Sequence, residues 1–226
     1  MRTELWESAR IRRDTLRSIA ALLLLGGVAL VIALHALRPD VHPAKHYVSE
    51  YGNETWSWLM TSAGVLIGLG LLALAVGLRD VGRGRVGPAM IQGSGLLMIL
   101  AALFSTDRQG GEVIARTLAG RLHGWTTIAA FCLLVLAIVA LSSHVRDGRD
   151  PLGRLHDLAL PAVVGAVALA AATFLVVPEA HGLRQRAFLA VVFGWLLAAA
   201  FQLRWLDPSE KGAEPATSWP EMAPRA

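Results

Sequence analysis

Residues 57–78 read SWLMTSAGVLIGLGLLALAVGL, an apolar stretch without one charged side chain. At 1.5 Å rise per residue, an α-helix of this length crosses the roughly 30 Å hydrocarbon core of a bilayer. Uncharged runs this long are the signature of a membrane span rather than of a soluble core. Gly64 and Gly68 stand four positions apart in it, a spacing that lets a neighbouring backbone approach closely. Packing within one bundle explains that pair better than a seam between two copies.

Working outward, the pattern recurs at about 17–37, 87–104, 124–142, 158–177 and 186–203. The expected fold is therefore all-α, a polytopic membrane bundle of six transmembrane helices spanning residues 17–206. Composition agrees: 54% of the 226 residues are hydrophobic and the mean hydropathy is +0.51, above the roughly 45–50% apolar content of soluble domains. Pro161 falls near the start of the fifth run, where a first helical turn tolerates it. The sixth run is short and ends at Arg204, whose long side chain can snorkel. The run from Ser18 to Leu37 exceeds the roughly 7–15 residues of a signal-peptide core and lacks a small-x-small cleavage site, so it reads as a retained helix. Residues 1–16 read as a basic cytoplasmic segment. Residues 207–226, with Pro208, Pro215, Pro220 and Pro224, read as a disordered tail.

The formal charge is +4. The basic residues sit in short clusters between apolar runs, which suits membrane orientation better than a nucleic-acid groove. Of the 21 Lys and Arg residues, fourteen fall on the side of the termini and even-numbered loops, and seven on the other. The positive-inside bias places both termini in the cytoplasm and the chain as a multi-pass protein of a cytoplasmic (inner) membrane. Trp56, Trp58 and Trp125 lie near the outer ends of spans, as an aromatic belt does. The lone Cys132 falls inside an apolar run and reads as a small hydrophobe. Gln92, beside Ser94, is the main polar residue well inside a span; without an intramembrane carboxylate, proton pumping is disfavoured.

Polar chemistry gathers at the outer face. The first outer loop carries His42, His46 and the run Val48-Ser49-Glu50-Tyr51-Gly52; the second carries Phe104-Ser105-Thr106-Asp107 and ends at His123; the third runs Glu179-Ala180-His181-Gly182-Leu183-Arg184-Gln185-Arg186. His42 and His46 have a zinc-ligand spacing on a helix, but Pro43 makes His42 a cap instead. Glu50 is a candidate base or ligand; alternatively its loop caps the second helix, with Gly52 supplying a left-handed turn and Asn53 the N-cap. Asp107 closes the third span and His123 opens the fourth, so a tight loop would pair carboxylate with imidazole, as hydrolases and metal sites do. The alternative is helix capping. Arg186 and Arg184, against the positive-inside trend, suit a lipid phosphate or a pairing with Glu50, Asp107 or Glu179.

In their order these motifs resemble domain-of-unknown-function family 998. The residues that carry the resemblance are Val48-Ser49-Glu50-Tyr51-Gly52, Phe104-Ser105-Thr106-Asp107, His123 and Gly182-Leu183-Arg184-Gln185-Arg186, over about residues 15–206. That family is a bacterial and archaeal one, distantly similar to the six-helix Frag-like and DRAM-like membrane proteins, some tied to lipid handling. The resemblance implies the six-helix frame and marks these outer residues as a shared set; it implies no reaction.

Three readings follow. In the first, a membrane lipid or other amphiphile binds between the helices at the outer leaflet, with Arg186, Glu50 and Tyr51 as ligand-binding residues. In the second, Asp107 and His123 hold a divalent metal or activate water, assisted by Ser49 and Glu50, in a hydrolase acting on lipid headgroups. In the third, the chain is a non-catalytic scaffold or partner subunit and the motifs only tie loops together. An apolar cleft beneath these residues separates the first reading from the third.

Overall fold

The structure, a computed structural model, describes residues 2–80, 84–110, 112–143 and 179–202. Among these the chain is helical except in its connections. α1 runs Arg2–Leu37, α2 Ser57–Asp80, α3 Val86–Ala102, α4 Leu118–Ser143 and α5 His181–Gln202. Short 3-10 helices, Val48–Gly52 and Glu54–Trp56, lead into α2, and a two-residue antiparallel hairpin pairs Arg108 with Val113 between α3 and α4. The expected fifth span at 158–177 and the tail at 207–226 lie outside the described residues.

The windows Asp14–Leu37, Glu54–Asp80, Leu118–Leu141 and His181–Phe201 are each long and apolar enough to cross a membrane. They match the expected spans at 17–37, 57–78, 124–142 and 186–203. α3 is apolar but has only 17 residues, about 26 Å at 1.5 Å per residue, and so falls short of the expected third span. α1 is continuous over 36 residues, about 54 Å, so it includes most of the basic segment at 1–16.

Close approach at small residues sets the packing. α1 packs on α2, α2 on α3 and α3 on α4, while α5 returns to α1. Phe131 of α4 meets Phe188 of α5 edge-on, with ring centroids 5.4 Å apart. The Gly64–Gly68 face of α2 lies against α3, with Gly64 under Ala102 and Gly68 against Ile99 and the backbone of Gly95. The spacing thus serves contact within the bundle. Leu24, Leu71, Leu74, Ile91, Leu134 and Leu196 are fully buried in the shared core. Trp58 and Trp125 are exposed at helix ends. Gln92 accepts a hydrogen bond from Arg79 Nη2 at 2.5 Å, so the polar group inside α3 is satisfied from the end of α2.

At the loop end, Arg38 ties α1 to the turn before α2. Its Nη1 donates to Asn53 O at 2.6 Å, its Nη2 to Asp40 at 2.6 Å, and it lies 3.3 Å from Glu54. The left-handed residue of this turn is Glu54 (φ 67°) rather than Gly52, and the Asn53 side chain donates to Arg108 O at 2.8 Å instead of capping the helix. The hydrogen bond from Arg38 holds the Asp40 carboxyl below its ordinary range. A carboxylate with a depressed folded-state pKa contributes stability above its unfolded value, about 3.9, and loses it as the pH falls through the lower folded value. Asp40→Asn should therefore lower thermal stability slightly at pH 7, with the gap to wild type closing below about pH 4. A gap of equal size at pH 3 and pH 7 would contradict this origin. Asp40 is exposed, so the effect at neutral pH is small.

Candidate ligand cleft

At the loop end the bundle encloses a cleft of about 490 Å³. Every described helix contributes to it. α1 supplies Val31 and His35, α2 Met60 and Ile67, α3 Met98 and Ala101, α4 His123 and Phe131, and α5 Arg186 and Phe193. Its deep walls are apolar, and its polar groups lie toward the loops, where Ser49, Ser105, Thr106, Gln185 and Arg186 line it.

Arg186 organises this polar end. One turn into α5, its Nε donates to His35 Nε2 at 2.9 Å, its Nη1 to the carbonyls of Pro43 and His46 at 2.7 Å each and of Gly182 at 3.1 Å, and its Nη2 to Tyr51 OH at 3.3 Å. His35 Nδ1 faces Val31 O at 2.7 Å. A carbonyl only accepts and a guanidinium only donates, so His35 carries its hydrogen on Nδ1. Tyr51, fully buried, lies between the His35 ring, 4.8 Å away, and the Arg186 guanidinium, 5.7 Å from its centroid. Gln185 Oε1 accepts from Val48 N at 2.7 Å, and Leu183 N donates to Ala44 O at 3.1 Å. The first residues of α5 are thus stapled to the α1–α2 connection. A Cβ on Gly182 would overlap the carbonyl oxygens of His46 and Pro43, so glycine is what lets the cradle close.

The sequence matches a family model. Residues 18–202 match the family described as protein of unknown function (DUF998). The chain belongs to the DUF998 family. No curated protein and no solved structure matches it. The Ser49-Glu50-Tyr51 and Gly182-to-Arg186 segments of this DUF998 chain, separate in sequence, are the two halves of one polar cluster.

Of the other expected site residues, His123 lines the cleft, whereas Glu50 and Asp107 are engaged elsewhere. Glu50 is buried; its Oε1 accepts from Tyr47 N at 2.9 Å and its Oε2 lies 3.9 Å from His46 Nδ1. It fixes the 3-10 turn and does not line the cleft. Asp107 accepts from both the backbone N–H and the hydroxyl of Thr117 at 2.7 Å. The same hydroxyl accepts from Gly120 N at 3.0 Å, so Asp107 steadies the N-cap of α4. His123 Nδ1 donates to Ala101 O and Phe104 O at 3.0 and 3.1 Å, capping the C-terminus of α3. No hydrogen bond joins Asp107 to His123 among the described residues, and among them no group of three His, Cys, Asp or Glu side chains comes together to hold a metal ion. His42 Nδ1 accepts from Ala44 N at 3.3 Å in a turn of the first loop, where no helix forms. Arg184 contacts His181 Nδ1 at 2.9 Å, and His181 stacks on Tyr47, which in turn lies under the Arg108 guanidinium at 4.6 Å.

His35 and Gln185 also belong to the site. Gln185 stands in the Gly182-to-Arg186 motif, whereas the signal of His35 is its position near the end of the first apolar run, one turn before Arg38.

Proposed function

We propose that this DUF998 protein binds a lipid or other amphiphile in the cleft, at the outer leaflet of a bacterial cytoplasmic membrane. The observation that carries the reading is the cleft's polarity. Hydrogen-bonding groups crowd its loop end, and apolar side chains from five helices wall the rest, which is the shape a headgroup with an attached chain requires. In this reading α3 and the segment at 158–177 complete six spans. The excess of Lys and Arg at the termini and even-numbered loops puts both ends in the cytoplasm and the cleft on the outer side. A scaffold with no small-molecule site would have no use for such a cavity.

The test is to extract and identify lipids that co-purify with the protein from detergent. Wild type should retain an amphiphile, and Thr127→Trp, which fills the cleft from α4, should lose it while keeping its helical circular dichroism. Equal recovery from both proteins would sink the reading.

His123 supports a second reading, an acid–base hydrolase acting on headgroups. Its Nδ1–H is committed to two carbonyls, which leaves Nε2 as an acceptor on a residue that lines the same cleft as Ser49. Metal analysis of the purified protein beside Asp107→Ala and His123→Ala distinguishes a metal-assisted version: stoichiometric metal lost in both variants supports it.

A further inference from the structure

We infer that the occupant of the cleft is a single-chain amphiphile whose head is an anion, a carboxylate or a phosphate, received by Arg186. This rests on the amphiphile reading and narrows it by charge and by volume.

The charge argument begins with what lines the cleft. Arg186 is the one Lys or Arg among the described lining residues, and no Asp or Glu is there. The nearby carboxylates are turned away, Glu50 to the Tyr47 amide and Asp107 to Thr117. The partners of Arg186 are an imidazole nitrogen, three carbonyls and a phenol. They satisfy hydrogen bonds and orient the guanidinium, but none neutralises it. A half-buried cation gains from an anion more than from any neutral group. The fork also has capacity left. A guanidinium has five N–H bonds. Nε uses one, Nη1 directs its two at carbonyls, and Nη2 spends one of its two on Tyr51.

The neighbouring groups are donors too. Gln185 has its oxygen committed to Val48 N, so its amide NH₂ is the half left to offer. The Ser49 hydroxyl has no partner among the described residues and lines the same end. A guanidinium N–H, an amide NH₂ and a hydroxyl without an acidic acceptor form a receptor for acceptor oxygens.

The volume argument sets the number of chains. A methylene displaces nearly the volume of a water molecule, about 30 Å³, so about 490 Å³ holds roughly sixteen such groups. That is one acyl chain with a compact head, and about half of what the two chains of a phospholipid alone bring. Ile67, Met98, Phe131 and Phe193 line the part the chain would occupy.

Native mass spectrometry of the full-length protein from nonionic micelles tests this, with palmitate, hexadecanol, palmitoyl-lysophosphatidate and dipalmitoyl phosphatidate as probes. Either single-chain anion should bind at one per chain and at least tenfold more tightly than hexadecanol. The two-chain phosphatidate should bind no better than hexadecanol. Arg186→Gln should reduce the anions to the level of the alcohol and leave the alcohol unchanged. Preference for palmitate over lysophosphatidate assigns a free fatty acid, and the reverse a single-chain phospholipid; either supports the inference. Equal affinity of acid and alcohol overturns the anionic head while leaving amphiphile binding intact. Tight binding of dipalmitoyl phosphatidate overturns the single chain. Binding of none of the four removes the amphiphile reading itself. If Arg186→Gln does not fold, the wild-type comparison of acid with alcohol decides alone.

Discussion

Arg186→Leu should destabilise the protein by about 2–4 kcal/mol, because the change strands acceptors as well as removing a charge. The carbonyls of Pro43, His46 and Gly182, His35 Nε2 and the Tyr51 hydroxyl would all lose their shared donor. An unsatisfied buried polar group costs about 1–3 kcal/mol, and water reaching this half-buried position recovers part of the sum. Arg186→Lys should fall between, since one ammonium cannot span acceptors that the planar fork reaches from three nitrogens. Thermal unfolding in detergent, followed by tryptophan fluorescence, gives the order wild type, lysine, leucine. Leucine as stable as wild type would mean that the cradle does not fasten α5 to the α1–α2 connection.

The second large effect is expected at the α2–α3 contact. A Cβ on Gly68 would lie 2.5 Å from Ile99 Cγ1 and 2.7 Å from the carbonyl oxygen of Gly95, and one on Gly95 would lie 2.8 Å from the carbonyl oxygen of Gly68. The obstacle is main chain on both sides, so no rotamer change relieves it. Gly68→Val must drive the helices apart, and overpacking of this kind costs about 1–3 kcal/mol or more. The ledge this contact supports includes Met98, Ala101 and Ala102, which line the cleft, so ligand affinity should fall along with stability. Gly194→Ala is the control. Nothing lies within 4 Å of its Cβ, and glycine in a helix interior is worse than alanine by roughly 0.5–1 kcal/mol, so this change should be neutral or mildly stabilising. If the two substitutions have equal effects, the close approach of α2 and α3 is not what sets the packing.

The helices were legible because uncharged length is a one-dimensional signal. Residues 57–78 announce α2 within two residues of its observed end, and the glycines at 64 and 68 announce a close neighbour. α3 ends two residues before the apolar run does, because Leu103 and Phe104 extend the run without extending the helix, and His123 bonds the carbonyls of Ala101 in its last turn and of Phe104 just beyond it. The loop-end site was legible in membership and not in wiring. Arg186, Ser49 and Tyr51 do converge, yet the expected pairing of Arg186 with Glu50, Asp107 or Glu179 follows a rule about opposite charges. The structure answers with peptide oxygens, which every residue possesses and no sequence displays. Asp107 and His123 show the same limit. Each abuts a helix terminus whose unpaired amides or carbonyls compete for it, and that local demand is met before any pairing across the loop.

The cradle around Arg186 has a consequence for how this protein tolerates variation. Three of its acceptors are backbone carbonyls, at Pro43, His46 and Gly182, so side chains at 43 and 46 can drift while the chain keeps its path. Position 182 has no such latitude, since any side chain there would occupy the space of the carbonyls themselves. A mutational scan of the region should read as silence at 43 and 46 with sharp intolerance at 182 and 186, and at 35 and 51, whose side chains also accept from Arg186.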